Sequence, residues 1–251
     1  MKHVNDPQEL SFRLSGARVA VLGYGPSATQ HALGLREAGN EVSVGTGGMS
    51  GVRARKDGFP AKHAVSVVGG ASVVVVLVPD EEQSSVYWAA IEPNVEPGAL
   101  LVFGRALALQ TRSFEPKSVD VVFVAAHDHG CRVAVHADVT GRALERAIAY
   151  VRTAFGANAT IATTTMAAEV DAELAALETR AGSAAAYREE VEHDATRVRD
   201  SHAPEEARVK FYEGLRELLA DRAARAGAPA PGERGSAVSL VAGQGPRRGT
   251  P

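Results

Sequence analysis

Gly23 and Gly25 stand in the run ARVAVLGYGPSATQHALGL (residues 17–35), where an apolar strand passes into a glycine turn and then a helix. That order of elements suits a dinucleotide. Gly23 permits the tight turn, Gly25 carries no side chain to block a pyrophosphate, and the helix amides following Pro26 and Ser27 point at the anion. Tyr24 lies between the two glycines, and Ala28 stands where the fingerprint accepts Gly or Ala for close helix-to-strand packing.

Other residues extend this chemistry. The next strand ends at Val44-Gly45 without the acid that usually accepts the ribose hydroxyls of NAD. The stretch TGGMSGVRARK behind it reads as a loop offering Thr46, Ser50, Arg53 and Arg55 to a 2′-phosphate, so NADPH is expected, with NADH open. The plainer alternative has both arginines covering a helix surface. In LVPDEEQ (residues 77–83), Val78 and Pro79 fall at the strand's carboxyl edge, where a nicotinamide would lie. Arg105, in FGRALALQ, could take a substrate carboxylate in bidentate fashion, hold the cofactor phosphate, or pair with a surface Asp. His127-Asp128-His129 follows another strand, and imidazole can bind metal or move protons near neutral pH. Consecutive loop residues seldom all point inward. We therefore expect catalysis from His127, substrate contact from His129 and Arg105, and no metal on the triplet. Glu213 and Glu217, in FYEGLREL, share a helix face and could reach one cation or one polar substrate, or else form a solvated stripe beside Arg208 and Arg216; with His127 they are expected to be catalytic.

The elements that must position these residues follow from pattern. The 251-residue chain is 45% hydrophobic, enough for a real core, and its 27 basic and 30 acidic residues give a net charge of -3. No basic field for nucleic acid results. Its single cysteine, Cys131, leaves no internal disulfide, and MKHVNDPQEL lacks an apolar secretion segment, so a cytoplasmic setting is expected. The apolar run from Val73 to Val78 suits a buried strand and is too short to cross a membrane.

From Arg18 to about Thr165 the strands RVAVL, EVSVG, SVVVVLV, LLVF, DVVFVA, RVAVH and TIATT alternate with helices, clearest over 27–38, 80–91 and 141–154. This is the pattern of a Rossmann-type α/β fold, a doubly wound parallel sheet over residues 1–165. Beyond it a smaller all-α domain is expected over 166–226, with one helix from Ala167 to Tyr187, continuing toward Arg199, and another from Pro204 to Ala226. Residues 227–251, rich in Ala, Pro and Gly, read as a flexible tail.

The segments GYGPSATQHALGLREAGNEVSVG, DGF, LVPDEEQSSVYWAAIEPNVEPGALLVF and VDVVFVAA together resemble the N-terminal domain of ketol-acid reductoisomerases, from about Leu14 to Thr165. Those enzymes use NADPH and Mg. The resemblance sets Ser50 at a serine of the family's phosphate loop, whereas the loop's arginine falls on Gly47. It sets Arg105 at the family's His, His127 at its Lys, Glu173 at a metal-binding Asp, and Leu177 at the Glu one turn further on. Glu213 and Glu217 match two family glutamates. The implied protein is an NAD(P)H reductase acting on a C=O or C=N bond of a small carboxylated substrate, its isomerase activity lost and its need for Mg open. The proton donor could be His127, Tyr187, Asp194 or Lys210. A homodimer through the C-terminal helices is expected. Two alternatives remain: a true ketol-acid reductoisomerase with Glu169, Asp171 or Glu173 joining Glu213 and Glu217 around Mg, and a non-catalytic dinucleotide-binding scaffold.

Overall fold

The computed structural model describes residues 2–3, 14–127, 130–199 and 205–227. Nine strands form one sheet: β1 (Lys2–His3), β2 (Arg18–Leu22), β3 (Glu41–Gly45), β4 (Ala61–Lys62), β5 (Val73–Val76), β6 (Leu100–Phe103), β7 (Asp120–His127), β8 (Gly130–Ala137) and β9 (Ile161–Thr163). Their order across the sheet is β1-β9-β8-β7-β6-β5-β2-β3-β4. The helices are α1 (Pro26–Glu37), α2 (Gly48–Lys56), α3 (Ala64–Val68), α4 (Asp80–Val86), α5 (Leu107–Gln110), α6 (Ala143–Phe155), α7 (Met166–Arg180), α8 (Ala184–Arg199) and α9 (Glu206–Gly227), with a π-helical turn over Tyr87–Ile91 after α4.

The six strands from β4 to β7 run parallel, as the alternating pattern predicts. Beyond them the direction changes. β7 and β8 pair antiparallel, with His127 opposite Gly130. The sheet is thus mixed rather than wholly parallel, and β1 also runs antiparallel against β9.

Side chains alternate between the two faces, and each face has its own core. Val19, Val21, Val73, Val75, Val122 and Val124 pack with α1 and α6. Leu22, Val76, Leu101, Phe103, Val121 and Phe123 pack on the other face, where the apolar residues of α7, α8 and α9 join them. The four valines of β5 are wholly buried, as a strand covered on both sides requires.

The expected single helix from Ala167 is two. It stops at Arg180, Gly182 takes a φ of +90°, and Ser183 caps the restart by accepting from the Ala186 amide at 3.0 Å. α8 therefore folds back over the sheet edge instead of extending away. Position 165 falls between β9 and α7, and the apolar residues of α7, α8 and α9 share one core with the sheet. The TGGMSGVRARK stretch, read as a loop, is mostly helix α2. Pro204, His129 and the 228–251 tail lie outside the described residues. No described helix is long and apolar enough to cross a membrane.

Candidate active site

Leu22, Val76 and Phe103 are in register at the carboxyl ends of β2, β5 and β6. The turns that follow therefore open on one edge of the sheet, where parallel α/β sheets bind ligands. At the first turn Gly23 has a φ of +88°, and a Cβ there would lie 2.8 Å from the Leu77 carbonyl oxygen and 3.2 Å from Val78 Cγ1. Only glycine fits that approach. Gly25 is the opposite case: a Cβ would meet nothing within 4 Å. It caps α1 by its backbone alone, with no side chain bonded to the first-turn amides, and Pro26 begins the helix.

This turn opens into a cleft of about 360 Å³ lined by Tyr24, Gly25, Pro26, Thr29, Arg53, Lys56 and Asp57. Ser27 is exposed and Ala28 is buried in the helix-to-strand contact. The Tyr24 hydroxyl donates to Asp57 Oδ2 at 2.8 Å, and its pKa is raised by burial and by Asp57. Helix α2 carries Ser50 and Arg53 one turn apart. The Arg53 Nη2 donates to Ser50 Oγ at 3.1 Å and reaches the Tyr24 carbonyl at 3.5 Å. Arg55, two residues on, lies instead against Gly51, within 4 Å of where its Cβ would stand. An open helix N-terminus, a space at Gly25 and a cation across the turn fit a phosphorylated dinucleotide.

Past Val78 the edge continues into a second cleft, also about 360 Å³, lined among others by Pro79, Asp80, Arg105, Leu177, Tyr187 and Asp194. Arg105 Nε donates to Asp80 Oδ2, and Asp80 is buried while the Arg105 side chain is 45% exposed. Burial pushes the Asp80 pKa up against the opposing pull of Arg105. Glu173 reaches the same edge from α7, accepting from the amides of Ala106 at 2.9 Å and Leu107 at 3.2 Å. Burial pushes its pKa up to about 7, against the pull of those amides and with Asp80 adding to the rise. Burial, helped by Asp80 and Glu190, raises the Tyr187 phenol to about 12, so it stays a neutral O–H donor near pH 7.

The other expected residues lie elsewhere. His127, exposed at the end of β7, borders a separate cavity of about 390 Å³ on the α1 and α6 side, with Gln30, Cys131, Phe155 and Thr160. The sheet separates it from the Arg105 cleft. Glu213 and Glu217 are exposed on α9, whose Phe211, Tyr212 and Leu215 turn inward to the cleft, so within one chain neither glutamate borders it. Lys210 pairs with Glu206 at 2.7 Å. Of the four acids on α7, Glu169 takes the Arg132 Nε on both oxygens, at 2.9 and 3.0 Å, Asp171 takes Arg222 at 3.0 Å, Glu173 takes the two amides, and Glu178 takes the Arg222 Nε at 3.4 Å. Among the described residues no three His, Cys, Asp or Glu side chains gather as a metal site requires.

Sequence alone assigns Glu173 only to a metal and gives Asp80 no role in the site. Asp80 follows β5 by four residues and Arg105 follows β6 by two. Two turns leaving neighbouring parallel strands on one edge were the available signal for their pairing.

An open phosphate turn beside a cleft that holds a cation and a phenol, on a Rossmann sheet, belongs to the NAD(P)H-dependent oxidoreductases. Within that class the chain belongs to the family described as acetohydroxy acid isomeroreductase, NADPH-binding domain, which matches residues 13–160. In fold the chain is similar to an NADH-preferring ketol-acid reductoisomerase from an uncultured archean, at 22% identity and a TM-score of 0.62, covering 87% of this chain and 71% of that one. It is also similar to a putative oxidoreductase from Jannaschia sp. CCS1, at 16% identity and a TM-score of 0.53 over 85% of each chain. The 3-hydroxyisobutyrate dehydrogenase of Mycobacterium tuberculosis gives 16% identity and a TM-score of 0.53, over 86% of this chain and 89% of that one.

Proposed function

We propose that this protein reduces a C=O or C=N bond of a small carboxylated molecule with hydride from NADPH. The observation that carries the reading is the continuity of the edge. Val78 abuts the nucleotide turn, and the next residue, Pro79, already lines the cleft that holds Arg105 and Tyr187.

The nicotinamide supplies the hydride when bound. Gly25, Pro26 and Ser27 would hold its pyrophosphate by the α1 amides, and Ser50 with Arg53 would hold a 2′-phosphate. Arg105 spends its Nε on Asp80, and a guanidinium has further donors for a substrate carboxylate. Tyr187 Oη would give the proton to the heteroatom as hydride reaches carbon. Leu107, Leu177 and Leu215 line the same cleft and limit water at the reacting carbon.

Mg does not fit this cleft. Leu177 offers no ligand, each Glu173 oxygen accepts from a backbone amide, Asp80 is paired with Arg105 and Asp194 with Arg197, Glu213 and Glu217 are outside, and among the described residues no three acids or imidazoles gather around one point. We therefore read the isomerase reaction as lost. The test is NADPH oxidation by the full chain, without added metal, against separate panels of 2-oxo acids and imino acids. Turnover in either panel supports the reading. NADPH that binds but is oxidised by neither would make the protein a dinucleotide-binding scaffold.

A further inference from the structure

We propose that Glu173 is a positioning residue, whose carboxylate bridges the consecutive amides of Ala106 and Leu107 and so fixes the backbone from which Arg105 faces the substrate. This rests on the reading of Arg105 as the carboxylate anchor. Two restraints then converge on one arginine. Asp80 holds its Nε, and Glu173 holds the peptide units immediately after it.

The amides concerned need an acceptor. Ala106 and Leu107 are buried at the start of α5, a helix of four residues, and first-turn amides have no partner within their own helix. A carboxylate offers two acceptor oxygens side by side. A Gln would offer one and turn an NH₂ toward the other amide. The bridge also gives the position an occupation other than a metal: each carboxylate oxygen already accepts from a protein N–H group.

The test uses the full chain and pyruvate, titrated by calorimetry into the complex with NADP⁺. We expect Glu173→Gln to weaken pyruvate tenfold or more while leaving NADP⁺ affinity unchanged. Arg105→Met should weaken it at least as much, and the double variant no more than Arg105→Met alone, since both act through one guanidinium. In the same samples, hydrogen exchange at the Ala106 and Leu107 amides should quicken in Glu173→Gln and stay as in wild type in Arg105→Met. Additive losses, or unchanged pyruvate affinity in Glu173→Gln, would reduce Glu173 to a structural cap and overturn the proposal. A wild type that takes no pyruvate would overturn it as well. Glu173→Asp, which keeps the charge but falls a methylene short of the amides, repeats the comparison if the Gln variant does not fold. Hydride transfer is not read here, so a chain that binds pyruvate through Arg105 but reduces nothing would sink the reductase reading alone.

Discussion

Arg53 and Ser50 meet on one face of α2, Nη2 to Oγ at 3.1 Å, with the guanidinium directed at the Tyr24 carbonyl of the glycine turn. Under the proposed reading the pair would hold a 2′-phosphate beside that turn, while Arg55 is carried away by the helical rotation of two residues. Arg53→Ala should therefore raise the Kd for NADPH by roughly tenfold, about 1.4 kcal/mol, and change that for NADH little. Arg55→Ala should change neither. Calorimetric titration of both cofactors checks this, and equal losses for NADH and NADPH would count against a phosphate contact.

Gly25 faces open space, so a side chain there costs the fold little and blocks the ligand. Gly25→Val should unfold at nearly the wild-type temperature yet bind no NADPH. Gly23→Val should behave differently. Its φ of +88° and the Leu77 carbonyl leave no room, and a loss of roughly 2 kcal/mol or more in folding stability is expected. Thermal unfolding of the two variants side by side separates the roles.

Tyr187 lines the Arg105 cleft, whereas His127 borders a different cavity and Glu213 and Glu217 face outward. Tyr187→Phe should lower kcat by a factor of roughly 10² or more, with NADPH affinity unchanged. His127→Gln and the double change Glu213→Gln with Glu217→Gln should leave turnover near wild type. A loss in the Glu double variant, in a sample shown to be dimeric by light scattering, would place a second copy's α9 in the active site.

The buried carboxylate of Glu173 makes a pH prediction with a definite sign. Its folded pKa of about 7 lies above the ordinary 4.5, so its contribution to stability is fully present below about pH 4.5 and lost as pH rises through 7. Asp80 and Arg105 are the ionisable groups that act on it. Glu173→Gln removes this titration. Between pH 5 and pH 8 the unfolding free energy of wild type should fall relative to the variant by up to about 3 kcal/mol. Urea unfolding at the two values measures it, and a constant difference would contradict the burial argument.

Removing metal should do nothing to the reductase reaction. With Leu177 in the cleft and the α7 acids each bonded to protein groups, NADPH oxidation should be the same in EDTA as in millimolar Mg. Acetolactate should not be consumed at an ordinary enzyme rate. Mg-dependent consumption of acetolactate would show that the cleft rebuilds around a cation.

The nucleotide half of this protein was legible in its residues because each signal there is local. A strand buried along its length, a turn that only Gly23 can make, and a helix opened by Pro26 lie within twenty residues, and the chain between them fixes their geometry. The resemblance of residues 14–165 to ketol-acid reductoisomerases rested on the same contiguous segments. Pattern alone puts Ser50, Arg53 and Arg55 on a loop, whereas helix α2 turns one arginine toward the glycine turn and the other away. Glycines at its start hid the helical pattern.

The second cleft was decided by tertiary structure. Asp80 and Arg105 are 25 residues apart, and Ala106 and Glu173 are 67 apart, so no spacing rule links them. They meet because β5 and β6 end level and because Gly182 turns α8 back, letting α7 and α8 cover that edge together. The same packing sent His127 to the other side of the sheet and Glu213 to the outer face of α9. Sequence fixes which atoms a side chain has, whereas the company it keeps depends on strand register and helix direction, which long-range packing sets.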